Sequence, residues 1–148
     1  MLTCSQLERE LNAMRLWIFM FVILLMVPLM MICMGNLFRR GIPKEINKVF
    51  GYRTYQSMRN QDTWEFAHRY CGRLWWRTGW VMLPASIAAM LLCLKLRPGR
   101  LLILSLVFLC VQGAVLVGLI FPVEFALKRT FDEWGDRIVP KNPEDLKQ

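Results

Sequence analysis

The sequence predicts an all-α integral membrane protein with three transmembrane helices, plus an interfacial helix and a polar signature loop between spans 1 and 2. Three observations predict it. The stretches Leu16–Met34, Thr78–Leu94 and Leu101–Val123 contain no charged residue, and each nears the length that crosses a hydrocarbon core about 30 Å thick at about 1.5 Å per helical residue. Hydrophobic residues make up 55% of the chain and charged residues 20%, which excludes a disordered polymer. Finally, polar, charged and aromatic residues crowd into 47–76, so the apolar segments read as a scaffold around that stretch. The organisation expected is one membrane domain over 1–148, with spans at about 16–38, 74–94 and 101–123, a signature loop at 47–73 and a polar C-terminal tail at 124–148.

A soluble three-helix core is the competing fold. It is disfavoured because soluble helices keep a polar face, and these segments have none. The first segment is also longer than a signal-peptide core and ends in Cys-Met-Gly-Asn-Leu-Phe-Arg-Arg, so it is expected to stay in the mature protein. Cys4, Cys33, Cys71, Cys93 and Cys110 are scattered without a Cys-x-x-Cys pair, a pattern of packing residues rather than of disulfides or a zinc site.

Residues 1–15 place Leu7, Leu11 and Met14 at helical spacing, as a surface helix or a plain lead-in to span 1. Pro28 should kink that span. Arg39 and Arg40 end it, and Pro43 to Phe50 reads as two turns of helix lying in the headgroup region, with Ile46, Val49 and Phe50 down and Gly51 as C-cap. After the loop, Asp62 and Glu65 form a capping pair for one long helix from Thr63 to Leu94. Its wheel puts Trp64, His68, Cys71 and Trp75 on one stripe and Glu65, Arg69, Arg73 and Trp76 on the next. The 95–100 connection is short enough to make spans 2 and 3 antiparallel neighbours. Ala85 with Ala89, and Ala114 with Gly118, have the small-residue spacing of close helix contacts, and Gln112 is placed to bridge helices. In the tail, Phe125, Leu127, Phe131 and Trp134 suggest a short amphipathic piece that fades into disorder.

Lysine and arginine number nine in 39–77 and five in 124–148, against two in 1–15 and three in 95–100. The positive-inside rule therefore puts the N-terminus outside and the C-terminus and signature loop in the cytoplasm.

The chemistry of 47–76 points to recognition. No Gly-x-Ser-x-Gly, phosphate-binding glycine loop or His-Glu-x-x-His occurs. His68 with Glu65 three residues before it would need several more ligands to hold a metal, so neither a metal nor another cofactor is expected. A membrane enzyme acting on lipids would have to rely on His68, Ser57 or Cys71. The net charge of +8 is expected to engage anionic lipid headgroups, through Arg69, Arg73 and Arg77 above all, rather than nucleic acid, because the basic residues flank apolar spans and alternate with Trp and Tyr. The spans are also compatible with assembly of several copies.

Gly-Tyr-Arg-Thr-Tyr-Gln-Ser-Met-Arg-Asn at 51–60, followed by Trp-x-x-Ala-His-Arg-Tyr-x-Gly-Arg at 64–73, resembles the SdpI family of bacterial membrane proteins, named for immunity to a secreted sporulation-delaying toxin. The matching residues are Gly51, Arg53, Thr54, Ser57 or Met58, Asn60, Trp64, His68 and Gly72. The resemblance implies a multi-pass protein of the bacterial plasma membrane that protects against a membrane-active peptide toxin, or senses it and relays its presence to a cytoplasmic regulator. It assigns recognition to Gly51, Tyr52, Arg53, Thr54, Ser57, Met58, Asn60, Trp64, His68, Arg69 and Gly72, with Arg53, Asn60, His68 and Arg69 expected to form a polar pocket under Tyr52 and Trp64. The alternative is a binding or signalling subunit of a membrane complex without immunity activity, docking its partner through the same loop.

Overall fold

The computed structural model describes residues 4–41, 43–46 and 49–138. Four helices make up the architecture of the described residues: α1 (Cys4–Arg39), α2 (Gln61–Leu92), α3 (Pro98–Gly118) and α4 (Ile120–Thr130). Among the described residues there is no strand, only an isolated antiparallel bridge between Phe131 and Arg137. From Cys4 onward the lead-in is helical, and α1 continues through the buried Pro28.

The long second helix forms as the sequence predicts, but its start differs. Asn60 is the N-cap: its side chain accepts from Thr63 N–H at 2.8 Å, while Asn60 N–H donates to Thr63 Oγ1 at 3.1 Å. Both donors are thereby satisfied two residues before the expected Asp62–Glu65 pair could act. The expected helix between Pro43 and Phe50 is also absent from its described residues, which form bends; Ile42, Asn47 and Lys48 lie outside the described residues. The reason is competition for acceptors. Pro43 O takes the Trp64 indole N–H at 3.0 Å and Lys44 O takes the Gln61 side-chain amide, so the carbonyls that would open an i→i+4 ladder already serve α2.

The principal helix contact runs between α1 and α2 along a glycine seam. A Cβ on Gly35 would lie 2.5 Å from Trp76 N, one on Gly72 would lie 2.8 Å from Phe38 C, and one on Gly79 would lie 3.0 Å from Pro28 O. At Gly35 and Gly72 the obstacle is backbone, and at Gly79 the Ile32 side chain, at 2.8 Å, stands in front of it. The small residues expected to pack lie elsewhere: Ala85 and Ala114 are exposed, and Gly118 has open space around its Cα. The 95–100 connection does reverse the chain, yet α3 leans more on α1 than on α2.

Gln112 bridges as expected. Buried in α3, it donates to Leu24 O of α1 at 3.1 Å and to Ser86 Oγ of α2 at 2.8 Å. It sits between two packed regions, one around Leu24, Met90 and Leu101, the other around Phe38, Tyr52, Cys71, Val123, Leu127 and Phe131. The break between α3 and α4 follows from Pro122, which has no N–H to offer Gly118 O. The region read as a fading tail is ordered through residue 138: α4 buries Val123 and Leu127, and Phe131 follows them into the core. Of the residues expected to share an amphipathic face, Leu127 and Phe131 are buried while Phe125 and Trp134 are exposed. Residues 139–148 lie outside the described residues.

Large apolar side chains cover the outside: Phe19, Met26, Val81, Leu92, Ile103 and Phe121 all stand open. Two helical segments, Cys4–Arg39 and Pro98–Thr130, are long and apolar enough to cross a membrane, and little of either is buried within the protein. The first turns of α2 are charged, and the helix ends at Leu92 before its apolar half reaches that length.

Substituting Gly72 by Ala is expected to lower the stability of the detergent-solubilised protein by about 1–3 kcal/mol, because backbone on the facing helix must move. The same change at Gly113, where nothing lies within 4 Å, is expected to stay within about 0.5 kcal/mol. Unfolding midpoints in sodium dodecyl sulfate titrations check both.

Candidate functional site

The signature loop is built around one buried imidazole. His68 is fully buried on α2. Its Nδ1 lies 2.8 Å from Trp64 O, a carbonyl that can only accept, so Nδ1 carries the proton. The bare Nε2 then accepts Tyr52 N–H at 2.8 Å. The Trp64 ring lies against the imidazole at 4.2 Å between centroids, and Phe38 of α1 meets it edge-on at 5.0 Å. Burial lowers the pKa of His68, and the Trp64 carbonyl only partly opposes that. Neutral His68 is thus a structural acceptor with both nitrogens engaged.

Gly51 makes this approach possible. Its φ is +127°, and any Cβ would collide with the His68 ring. Tyr52, next in the chain, is held at both ends. Its N–H goes to His68, and its phenol O–H, 3.0 Å from Glu124 Oε1, donates to α4. Burial first, and the Glu124 carboxylate second, push the phenol well above its usual pKa.

Beyond Tyr52 the chain turns on side-chain hydroxyls. Ser57 Oγ accepts from Thr54 N–H at 2.9 Å and reaches Tyr52 O at 2.9 Å and Thr54 O at 3.0 Å. Ser57 N–H in turn donates to Thr54 Oγ1 at 3.3 Å, and Met58 N–H closes on Thr54 O at 3.2 Å. Thr63 Oγ1 bonds the carbonyls of Ser57 and Asn60. Such local side-chain bonds fix a loop that has no ladder of its own.

The expected stripe of Trp64, His68 and Cys71 is therefore real and buried, with Trp75 packed against it. Burial pushes the Cys71 thiol up to about 12, so it holds its proton. The expected polar pocket does not assemble. Arg69 pairs on the surface with Glu65 in a cleft of about 180 Å³ shared with Asp62, Phe66, Arg73 and Arg137, and neither Arg53, Asn60 nor His68 lines it. Asn60 is committed to the helix cap and to Gly135 O at 2.6 Å, and Arg53 stands exposed. Gly72 belongs to the seam, against Phe38 and Arg39.

Three contributors escaped the sequence reading. Thr63 was legible, since Asn-x-x-Thr before a helix is a capping pattern. Gln56, whose amide donates to Asp132 O at 3.0 Å, and Glu124 gave no local signal, because their partners lie more than seventy residues away.

A model of the SdpI/YfhL protein family matches residues 44–124, more than half of the chain. The chain belongs to the SdpI/YfhL family. The matched region takes in the loop, all of α2 and α3, and Glu124, and it stops short of the turn after α4. Among curated proteins, Uncharacterized protein YfhL of Bacillus subtilis (strain 168) is 43% identical over 53 residues, which are 36% of this chain and 48% of that protein. The chain thus spans about half the length of that relative. No solved structure matches it. Together with two helical segments apolar enough to cross a bilayer, membership makes this SdpI/YfhL chain a membrane protein.

Replacing His68 with Phe is expected to cost about 1–3 kcal/mol, because the buried Tyr52 N–H loses its acceptor. For the native chain, the lowered pKa means that the unfolded state binds the proton first. The stability His68 confers is complete above its unfolded pKa of about 6.5 and is lost as pH falls from there toward the folded value. Unfolding midpoints at several pH values between 7.5 and 4.5 should decline for the native chain and lose that component in His68→Phe.

Proposed function

We propose that this SdpI/YfhL protein is of the toxin-immunity type, protecting against or sensing a membrane-active peptide through its Gly-Tyr-Arg-Thr loop. The observation that carries the reading is the split between buried and exposed signature residues. Tyr52, Ser57, Thr63, Trp64 and His68 are buried, while Arg53 and Tyr55 stand exposed on the turn they brace. Arg59 stacks its guanidinium over the Tyr55 ring at 4.4 Å. A rigid turn presenting a cation beside an aromatic ring suits the binding of a peptide, since little conformational freedom is lost on contact.

In this reading the protein is multi-pass in the bacterial plasma membrane. Three spans cross it, α1, the apolar half of α2 completed by its flanking residues from Leu74 on, and α3, with the N-terminus outside and the loop in the cytoplasm by the distribution of lysine and arginine. Anionic headgroups surround Arg69, Arg73 and Arg77. A cytoplasmic loop favours relay of the toxin's presence over interception of the peptide outside. The second reading, a signalling subunit without immunity activity, rests on the same exposed residues.

Expression in a strain sensitive to a membrane-active peptide is expected to raise survival, and Arg53→Ala to remove most of that gain while the protein accumulates normally. Unchanged killing by every peptide tried, with the protein present in the membrane, rejects immunity. Co-purification of a partner lost on Arg53→Ala would then support the signalling subunit. Because Ser57 is buried, the side of the loop is best read from Tyr55→Cys in a chain whose other cysteines are replaced. A membrane-impermeant maleimide is expected to label it only after the cells are opened.

A further inference from the structure

Residues 131–138 fold back onto the signature, and three of its polar side chains hold them. Gln56 Nε2 donates to Asp132 O at 3.0 Å and Asn60 Nδ2 donates to Gly135 O at 2.6 Å. Asp62 takes the Arg137 guanidinium with both carboxylate oxygens, one of them at 2.9 Å. The segment shapes itself: Asp132 Oδ1 accepts from Trp134 N–H at 2.9 Å and Asp136 N–H at 2.8 Å, and Asp132 N–H bonds Asp136 O at 2.9 Å. Gly135 has φ +91°, and a Cβ there would lie 2.7 Å from Asn60 Nδ2 and 3.2 Å from Arg59 Cβ.

This contact differs in kind from the packing beneath it. Phe131 is sunk in the core, but among the described residues after it only Gly135, which has no side chain, is buried. Trp134 is 80% and Ile138 60% exposed, and the Asp62 and Arg137 side chains are 41% and 24% exposed. A cleft of about 570 Å³ opens between the turn and Gln56, Arg59 and Lys128, and the Arg69 cleft also borders Arg137. Hydrogen bonds, one partly solvated ion pair and the Arg137 guanidinium over the Phe131 ring at 5.0 Å hold the turn, so a group making the same contacts replaces it at little net cost. The holders also lie inside the family-matched region, 44–124, whereas the turn lies outside it.

We propose that Gln56, Asn60 and Asp62 form a docking surface for a peptide turn bearing a glycine and, two residues later, an arginine, and that residues 132–137 are its built-in occupant, displaced when a partner of that chemistry binds. This rests on the reading of the signature as a recognition element. The two amide donors read backbone carbonyls three residues apart and accept many sequences. Specificity comes from the glycine, for which Asn60 and Arg59 leave room, and from the arginine, which Asp62 receives through two oxygens. A short tether keeps the internal turn at an effective concentration in the millimolar range, so the surface stays closed to weak competitors and opens to a partner that binds well.

The test uses the full-length chain in lipid nanodiscs and a fluorescein-labelled synthetic peptide of residues 132–138, followed by anisotropy. Arg137→Gln loosens the internal turn by charge, and Gly135→Val drives it off Asn60 by bulk. Each variant is expected to bind the peptide at least about tenfold more tightly than the native chain, and adding Asp62→Asn to either should abolish that gain. A labelled peptide with Gln in place of its arginine should not bind any of them. The proposal is overturned if neither variant binds more tightly than the native chain, or if the gain survives Asp62→Asn. The measurement needs neither toxin nor sensitive cells, so this surface and the immunity reading stand or fall separately.

Discussion

The hydrogen bond from Tyr52 N–H to the neutral His68 imidazole is the interaction on which the rest of the signature depends. It joins the loop to α2 at a point where no water competes. Unlike a surface bond, it has a large penalty for being left unmade. It also dictates its surroundings. Position 51 must lack a side chain, Trp64 must fix the tautomer through its carbonyl, and Phe38 must seal the ring on the α1 side. Because Tyr52 is pinned there by its backbone, its phenol arrives at Glu124, and α4 is joined to the same point.

The division of labour within the motif follows. Signature residues divide into those that set the shape of the turn and those the turn displays. His68, Ser57, Thr54, Thr63 and Asn60 belong to the first group, each with its hydrogen-bonding capacity engaged inside the protein. Arg53 and Tyr55 belong to the second. A polar motif between apolar helices therefore does not imply a polar cavity; here most of its polarity is consumed in making a compact loop without regular backbone hydrogen bonding.

What could be read from the sequence was whatever depends on local periodicity. The apolar segments, the long second helix, the buried Trp64–His68–Cys71 stripe and the bridging role of Gln112 all follow from spacing along one helix and from the cost of a buried amide. Competition between distant groups was hidden. The short helix after Pro43 had good local signals, yet Trp64 and Gln61 take its carbonyls. Asp62 looked like a cap but pairs with Arg137, and the tail was expected to fade into disorder after a short amphipathic piece, although the carbonyls of Asp132 and Gly135 anchor it through residue 138. Small residues at helical spacing were likewise ambiguous: alanines in α2 and α3 matched the pattern, and the glycines of α1 and α2 made the contact.

That glycine seam also limits how the molecule can move. Gly72 and Gly79 are two helical turns apart on α2, and the backbone of α1 sits in both notches at once, against Phe38 and against Pro28. Sliding one helix along the other would carry side chains into the space the glycines leave, so a piston stroke is blocked. Tilting about the seam keeps both notches occupied. The relative motion left to the α1–α2 pair is a rocking, with the seam as its fulcrum.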